Sequence, residues 1–303
     1  VAAISFDKSE DKPKRSIMKQ VMFTLAVLLN AYMLSACSIN IGADRSAGHY
    51  ERDAAGYGAN DGVIERSLSV RPFTALECRL PASVTYVQTN DQAPKVVLKG
   101  APAMVERCVV DVRDGKLQLY LVQKAKQSMK RFSQSRNQLN ITVYGGRLTA
   151  LAVQSACTFY AAQLETSQLA LSNAGASSIR VGRFAGQQLT MSCSGASSTK
   201  LAGNVAQLML NVTGASSFVA NEFATQDLKA KVSGASTAKC ALQGSAGVDV
   251  SGASTLTLSG TSDSFTIKCS GASSVKAADL KAQNVVVDVA GASGVKCYAA
   301  RSI

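Results

Sequence analysis

The sequence is poor in the residue types that most active sites need. It has no tryptophan, one histidine and only 6% aromatic residues. The histidine, His49, precedes all of the repeated sequence, so a nucleophile activated by histidine is implausible. Cysteine and histidine form no Cys-x-x-Cys pair or mixed cluster, which leaves a zinc site without support. The scarcity of aromatic rings also disfavours a sugar-binding cleft lined by them.

Acidic residues are also scarce in the second half of the chain. Residues 151–303 contain seven, which are Glu165, Glu222, Asp227, Asp249, Asp263, Asp279 and Asp288. Carbohydrate-active enzymes built on a β-helix need clustered carboxylates or a calcium site. Asp249 and Asp288 instead fall in a column that alternates with Lys231 and Lys268, which is typical of cross-strand charge pairing. We therefore predict a non-catalytic protein without cofactor or metal, and a carbohydrate-active enzyme is the alternative.

The sequence is rich in one short repeat. The tripeptide Gly-Ala-Ser occurs seven times, at intervals of 18–20 residues. Its glycines are Gly175, Gly195, Gly214, Gly234, Gly252, Gly271 and Gly291. Such a period indicates one small structural unit stacked on copies of itself. We interpret the glycines as corners between two strands, since glycine allows unusual backbone dihedrals and close approach of successive corners.

Apolar residues alternate with polar or small ones on both sides of every corner. Before the first corner the apolar series includes Leu169 and Leu171, and after it come Ile179 and Val181. A period of two marks strands with one buried face. We predict an all-β fold, a β-solenoid of about eight stacked rungs, each a strand, a corner, a second strand and a return. The eighth rung is a degenerate copy, Ser155-Ala156-Cys157-Thr158.

The three corner residues are predicted to have separate roles. The alanine is small enough to stack where the coil is narrow, so Ala235→Leu is expected to overfill the core. The serines are expected to bond the backbone of neighbouring corners as a ladder of hydroxyl groups.

The amino-terminal segment has the features of an export signal. Met18-Lys19-Gln20 precedes an apolar run from Val21 to Leu34, too short for a comfortable membrane-spanning helix. Leu34-Ser35-Ala36-Cys37 then resembles the bacterial lipobox, which implies cleavage before Cys37 and a lipid on its sulfur. An ordinary signal peptide with a chance cysteine is the alternative. Ser38 is not the aspartate associated with inner-membrane retention, which favours the outer membrane.

These patterns divide the chain into five segments. Residues 1–17 are an upstream extension, 18–36 the lipoprotein signal peptide, and 37–63 the lipid anchor and a flexible tether rich in small and polar residues. Residues 64–150 are a strand-rich region that caps the solenoid, and 151–303 are the solenoid repeats. The predicted location is the bacterial cell envelope, with lipid on Cys37 as the contact with the membrane.

Positive charge is concentrated in one column of the repeat. The net charge is +12, which favours anionic partners such as lipopolysaccharide or acidic glycans. Nucleic acid is not expected, because the chain is exported and has no aromatic-rich basic motif. Five residues after the corner glycine stand Arg180, Lys200, Lys239, Lys276 and Lys296, a set that we call the basic stripe. It is either a binding surface for an anionic polymer or a solvated face that prevents aggregation.

The cysteines are predicted to be mostly unpaired. Cys193 and Cys269 share one inward column and Cys240 and Cys297 share another, but each pair is several rungs apart. A disulfide needs α-carbons within about 7 Å, so we interpret these four as small buried hydrophobic residues. Two further cysteines, Cys78 and Cys108, flank strand-like segments and are candidates for a disulfide.

The region before the repeats carries further recognisable segments. They are Phe73–Leu76, an Asp111–Leu117 hairpin with an Asp-Gly turn, and the strand Leu139–Val143. Together with the serial Gly-Ala-Ser rungs, over about residues 68–298, they make the chain resemble the "putative autotransporter adhesin" family that carries the head GIN domain. The resemblance implies a β-helical exported domain with a role in adhesion, binding or envelope structure. It supplies no catalytic residues.

The carboxy-terminal rung is expected to be an interaction surface. A solenoid exposes unpaired backbone groups at its ends, and such edges invite strand addition. Residues 64–150 can cover one end, but little sequence follows the corner at Gly291. We predict that a second copy or another protein covers this end, with Tyr298 and Arg301 at the contact. An accessory lipoprotein that docks a partner protein is therefore a further possible function.

Overall fold

The computed structural model describes residues 62–90, 92–122 and 139–299. They form one continuous sheet of 17 strands with a single short helix among the described residues. The strands are β1 (Ile64–Ser69), β2 (Ala75–Arg79), β3 (Ser83–Gln88), β4 (Lys95–Gly100), β5 (Cys108–Arg113), β6 (Lys116–Leu121), β7 (Asn140–Gly145), β8 (Ala150–Gln154), β9 (Thr158–Glu165), β10 (Gln168–Asn173), β11 (Ser178–Cys193), β12 (Ser198–Val212), β13 (Ser217–Val232), β14 (Thr237–Val250), β15 (Thr255–Cys269), β16 (Ser274–Val289) and β17 (Gly294–Ala299). The helix α1 is Pro102–Val105.

The repeats form the predicted β-solenoid. Each of β11 to β16 runs from one corner to the next, so a strand contains the second strand of one rung, the return, and the first strand of the next. We call these parts the post-corner and pre-corner strands. Neighbouring rungs pair in parallel, and equivalent residues meet; Leu189 lies opposite Leu169 on one side and Leu208 on the other. Residues at the same position of the repeat therefore stack on one another in adjacent rungs, and the apolar positions form the core.

The degenerate copy is a true rung. Strand β8 pairs in parallel with β10, and β9 pairs in parallel with β11. Ser155 occupies the position of the corner glycine and has a positive φ of 69°, a conformation that costs energy for a residue with a side chain. The rung therefore keeps the corner geometry without the glycine.

Part of the preceding region also stacks as rungs, but out of chain order. Strand β2 pairs in parallel with both β6 and β8. Strand β3 pairs in parallel with both β7 and β9. The β2–β3 rung therefore lies between the β6–β7 rung and the β8–β9 rung, although β6 and β7 come later in the chain.

Antiparallel strands cover the outer side of the β6–β7 rung. Strand β5 pairs antiparallel with β6 through a tight turn at Asp114 and Gly115, which both have positive φ as a type I′ turn requires. Strand β4 pairs antiparallel with β7, and β1 in turn with β4. Among the described residues, no further parallel rung stacks on this end, because β4 and β5 run antiparallel to the strands of the rung that they cover.

The corners differ from the prediction in one respect. The alanines, Ala235 among them, are exposed, and the serines that follow them, such as Ser236 at 1% exposure, are buried. The prediction that alanine points into the coil is wrong, because the serine has the same spacing as the inward residues; Ser236 lies two residues before the buried Ala238. The buried hydroxyl is satisfied: the Ser236 Oγ donates to the Gly214 carbonyl of the previous rung at 3.2 Å, and Ser254 repeats this contact with Gly234 at 3.1 Å.

One inward residue of the first Gly-Ala-Ser rung is polar. Asn173 is 0% exposed in a column otherwise made of valine and cysteine. Its Nδ2 donates to the Ser198 carbonyl and to Thr199 Oγ1, both at 2.8 Å, and its Oδ1 accepts from Ser177 Oγ at 2.5 Å. The side-chain amide is thus held by the corner serine of its own rung and by the post-corner strand of the next rung.

Candidate ligand-binding face

The basic stripe is a row with two uncharged gaps on the outside of the solenoid. Arg180 pairs with Lys200, and Lys276 with Lys296, so these are neighbours on adjacent rungs. All five side chains are exposed, because they alternate with the inward residues of the post-corner strands. The sheet spacing puts adjacent rungs about 4.8 Å apart and alternate rungs about twice that. None of the five has a carboxylate of the described residues within 4.0 Å.

Two positions of the row are uncharged. Val219 lies between Lys200 and Lys239, and Thr257 lies between Lys239 and Lys276. Both are half-buried. These gaps keep like charges in the middle of the row two rungs apart, which limits their mutual repulsion.

A row of hydroxyl groups runs beside the basic stripe. It lies on the same outer face, two residues before the stripe in each strand, and consists of Ser178, Ser198, Ser217, Thr237, Thr255 and Ser274. Tyr160, which is 41% exposed, pairs with Arg180 and extends the stripe toward the amino-terminal rungs. The sequence reasoning missed both features, although the hydroxyl row is readable three residues after the first six corner glycines.

The pre-corner face has a different charge pattern. Its outward column pairs Lys231 with Asp249, Asp249 with Lys268, and Lys268 with Asp288, in the predicted alternation. Within the described residues, ion pairs closer than 4.0 Å join Arg79 to Glu77 and Arg113 to Asp111 instead. The opposite charges of this column therefore lie on adjacent rungs without forming close ion pairs. Of these two outward columns, the one on the post-corner face carries charges of one sign.

A small depression interrupts the basic stripe. It has a volume of about 60 Å³ and is lined by Lys200, Leu201, Val219, Asn221 and Glu222. That volume holds a few water molecules and not a sugar ring. The depression is therefore not a cleft for a sugar, and this face presents the basic stripe and the hydroxyl row as two parallel rows across the strands.

The buried thiols are unsuited to covalent chemistry. Burial raises the pKa of Cys240 to about 12 and that of Cys193 to about 11, so both stay protonated at neutral pH. A hydrogen bond to Cys157, together with burial, raises the pKa of Cys78 well above its usual range. Cys78 and Cys108 are both free, so the candidate disulfide between them is not formed.

Cys297 was predicted to be buried and is exposed. Its partner one rung back, Ala277, is 0% exposed, so the column itself points inward as expected. The difference arises because Cys297 lies on the last described rung, and among the described residues no further rung covers it. Its thiol is the exposed one among the described cysteines.

Other predicted features can be compared only in part. Cys37, His49 and Arg301 lie outside the described residues. Within the part of the chain that the structure describes, no group of three or more histidine, cysteine or acidic residues is placed to hold a metal ion. The short helix in that part is neither long nor apolar enough to span a membrane.

Comparison with known proteins gives a family and a fold. A family model described as "Putative auto-transporter adhesin, head GIN domain" matches residues 72–260 and 244–303. A solved structure titled as a putative adhesin from Bacteroides fragilis aligns with a TM-score of 0.60 at 17% identity, covering 80% of this chain and 99% of its own. A second, from Parabacteroides distasonis, aligns with a TM-score of 0.61 at 14% identity, covering 77% and 96%. The curated proteins gave no match.

Proposed function

Because the chain belongs to the head GIN domain family of putative auto-transporter adhesins, we propose that it is a non-catalytic binding module of the bacterial cell envelope. In this proposal the ligand is an anionic polysaccharide, such as the acidic part of lipopolysaccharide or an acidic glycan, bound along the basic stripe. The observation that carries the proposal is the charge of one sign on the post-corner face. The pre-corner face of the same rungs balances its charges.

The geometry suits an extended, repetitive ligand. The backbone holds the basic residues one or two rungs apart, so an extended polymer with repeated carboxylates or phosphates meets several of them at once. Each contact at an exposed surface is weak, and affinity comes from the number of simultaneous contacts. The adjacent hydroxyl row supplies donors and acceptors for sugar hydroxyl groups.

Charge reversal tests this proposal. Replacing Lys239, Lys276 and Lys296 by glutamate is expected to raise the Kd for lipopolysaccharide or polygalacturonate about tenfold or more at low salt, with a smaller effect at high salt because ions screen exposed charges. The control variant reverses Arg183, Lys229 and Lys281, which are exposed outside the stripe and give the same net charge. Titration calorimetry at two ionic strengths measures both. No binding by the parent, or equal loss in both variants, contradicts a specific stripe.

The proposal also includes a lipid anchor at Cys37. Cys37→Ala is expected to release the protein from the membrane fraction or leave its signal uncleaved, because the lipidated sulfur is lost. Cell fractionation and the mass of the amino-terminal peptide measure the outcome, and Cys297→Ala is the matched control. Unchanged fractionation of Cys37→Ala, with residues Val21 to Leu34 retained, would mean that the apolar run itself holds the protein in the membrane.

A further inference from the structure

The last described rung leaves apolar core residues open to solvent. Val287 and Val289 are 45% and 44% exposed, whereas their partners one rung back, Ile267 and Cys269, are 0% and 3% exposed. Val286 and Tyr298 on the outer face are 58% and 55% exposed. Among the described residues, no strand pairs with the outer edge of β17 or with that of the final segment of β16.

The two ends of the solenoid are not equivalent. At the amino-terminal end, the antiparallel strand β5 lies on the pre-corner side and the antiparallel strand β4 on the post-corner side. That end has a closing layer, so it cannot receive the open end of another copy as a further parallel rung. It also shows that antiparallel strands fit on both sides of a rung in this fold.

We propose that the open end is the interface of a symmetric dimer, in which a second copy of this chain docks corner on corner. A two-fold axis through the last corner places the pre-corner strand of each copy beside the post-corner strand of the other. Because the chain runs toward the corner in one and away from it in the other, the two strands are antiparallel. The contact closes on itself and produces a dimer and not a fibre.

Alternation and the corner limit the register, and charge selects one. Directly opposite residues in an antiparallel pair lie on the same face, so inward residues must meet inward residues. An axis centred on Gly291, Ala292 or Ser293 satisfies this condition, and we adopt Ala292 because it also brings opposite charges together. It pairs Val289 with the partner's Val295, Val287 with the partner's Cys297, and Val286 with the partner's Tyr298.

The same register also pairs opposite charges. Asp288 falls opposite the partner's Lys296 on the outer face, and the two-fold axis repeats the pair on the other side. Every other pair in the segment is apolar. The dimer would therefore cover the open core, pair the free strand edges, and add opposite-charge cross-strand pairs.

A charge swap tests the register directly. Asp288→Lys or Lys296→Asp alone puts like charges opposite each other at both symmetric positions, and each is expected to raise the dimer Kd about tenfold. The double variant Asp288→Lys/Lys296→Asp is expected to return the Kd to within about threefold of the parent. Sedimentation velocity over a range of concentrations measures all three. The control Asp227→Lys/Lys229→Asp makes the same exchange on a middle rung.

The double variant separates the interface from effects within one copy. Asp288→Lys places a second lysine beside Lys268 in the same molecule, and this repulsion persists in the double variant. Recovery of dimerisation by the double variant therefore reports on the contact between copies. Loss in both single variants without recovery, or equal loss in the control, would overturn the proposed register.

Crosslinking provides a second measurement. Val286→Cys/Tyr298→Cys places thiols on the outer face of different strands in one copy, but opposite each other across the interface. In a Cys297→Ala background, which removes the exposed thiol of the same rung, mild oxidation is expected to give a covalent dimer on non-reducing gels, whereas the single variants do not. A strict monomer at high concentration would overturn the proposal. Slow amide exchange over Val285–Val289 in that monomer would show that later residues of the same chain cover the edge.

Discussion

Gly234→Ala is expected to lower the free energy of unfolding by about 2–4 kcal/mol, although it adds one methyl group at an exposed corner. Gly234 has a φ of +80°, which alanine adopts only with strain. A Cβ there would also lie 2.5 Å from the Gly214 carbonyl oxygen. That oxygen accepts from the Ala235 amide at 2.8 Å and from the Ser236 hydroxyl, so it cannot withdraw without loss of both bonds.

Two controls isolate the corner in urea titrations of this variant. Gly247→Ala makes the same chemical change in a strand, where a Cβ meets nothing within 4 Å and φ is not positive, so we expect no destabilisation. Ala235→Leu adds three carbons to the neighbouring corner residue, which is exposed, and we expect a change within about 0.5 kcal/mol. An unchanged free energy of unfolding for Gly234→Ala would mean that the corner has more space than the 2.5 Å contact with the Gly214 carbonyl oxygen indicates.

The register of the repeats could be predicted from the sequence because it depends on spacing alone. Once Gly195 and Gly214 are superimposed, a period of two assigns the residues on either side of each corner to a face, and Leu189 meets Leu208 as expected. The return between the two strands contains register shifts, which the spacing does not reveal. The direction of the corner side chains follows from the same alternation, since counting by twos from the buried Val232 or Ala238 puts Ser236 inward and Ala235 outward. The prediction for Ala235 was wrong because it was based on the small size of alanine and not on the count.

The predictions were less successful where burial or pairing depends on residues outside the repeated unit. Cys297 shares the inward column of Cys240, but burial requires a rung on both sides, and spacing does not reveal where the stack ends. The insertion of the β2–β3 rung beside β8–β9 was also not predicted. Those rungs carry no Gly-Ala-Ser, and their pairing joins segments that are distant in the sequence.

The basic stripe shows the limit of sequence reasoning about the binding face. Its five residues could be identified from the column, and the structure gives their register and exposure. The contrast with the balanced pre-corner face appears only when both columns are placed on one rung. The contribution of Tyr160 also depended on knowing that β9 stacks beside Arg180.

Asn173→Asp is expected to lower the free energy of unfolding by about 3–5 kcal/mol at neutral pH, although it replaces only one heavy atom. The Nδ2 of Asn173 donates two hydrogen bonds inside the core. A carboxylate cannot donate, so an oxygen would face the Ser198 carbonyl and a charge would lie where the side chain is 0% exposed. No cation is available in the column, which otherwise contains valine and cysteine.

The pH dependence of this variant provides a more specific test than its magnitude. Burial raises the pKa of the new carboxyl in the folded state above its unfolded value of about 4. Between those two values the folded state binds more protons than the unfolded state, so stability falls as pH rises and is regained as pH falls toward 4. Asn211→Asp is the matched control, because Asn211 is exposed on the outer face beside Lys231, where a carboxylate is expected to be neutral or slightly favourable. Urea titrations of both variants and the parent between pH 4 and pH 8 measure the difference. An Asn173→Asp curve parallel to that of Asn211→Asp would show that water reaches this part of the core, contrary to the closed network between Ser177 and Thr199.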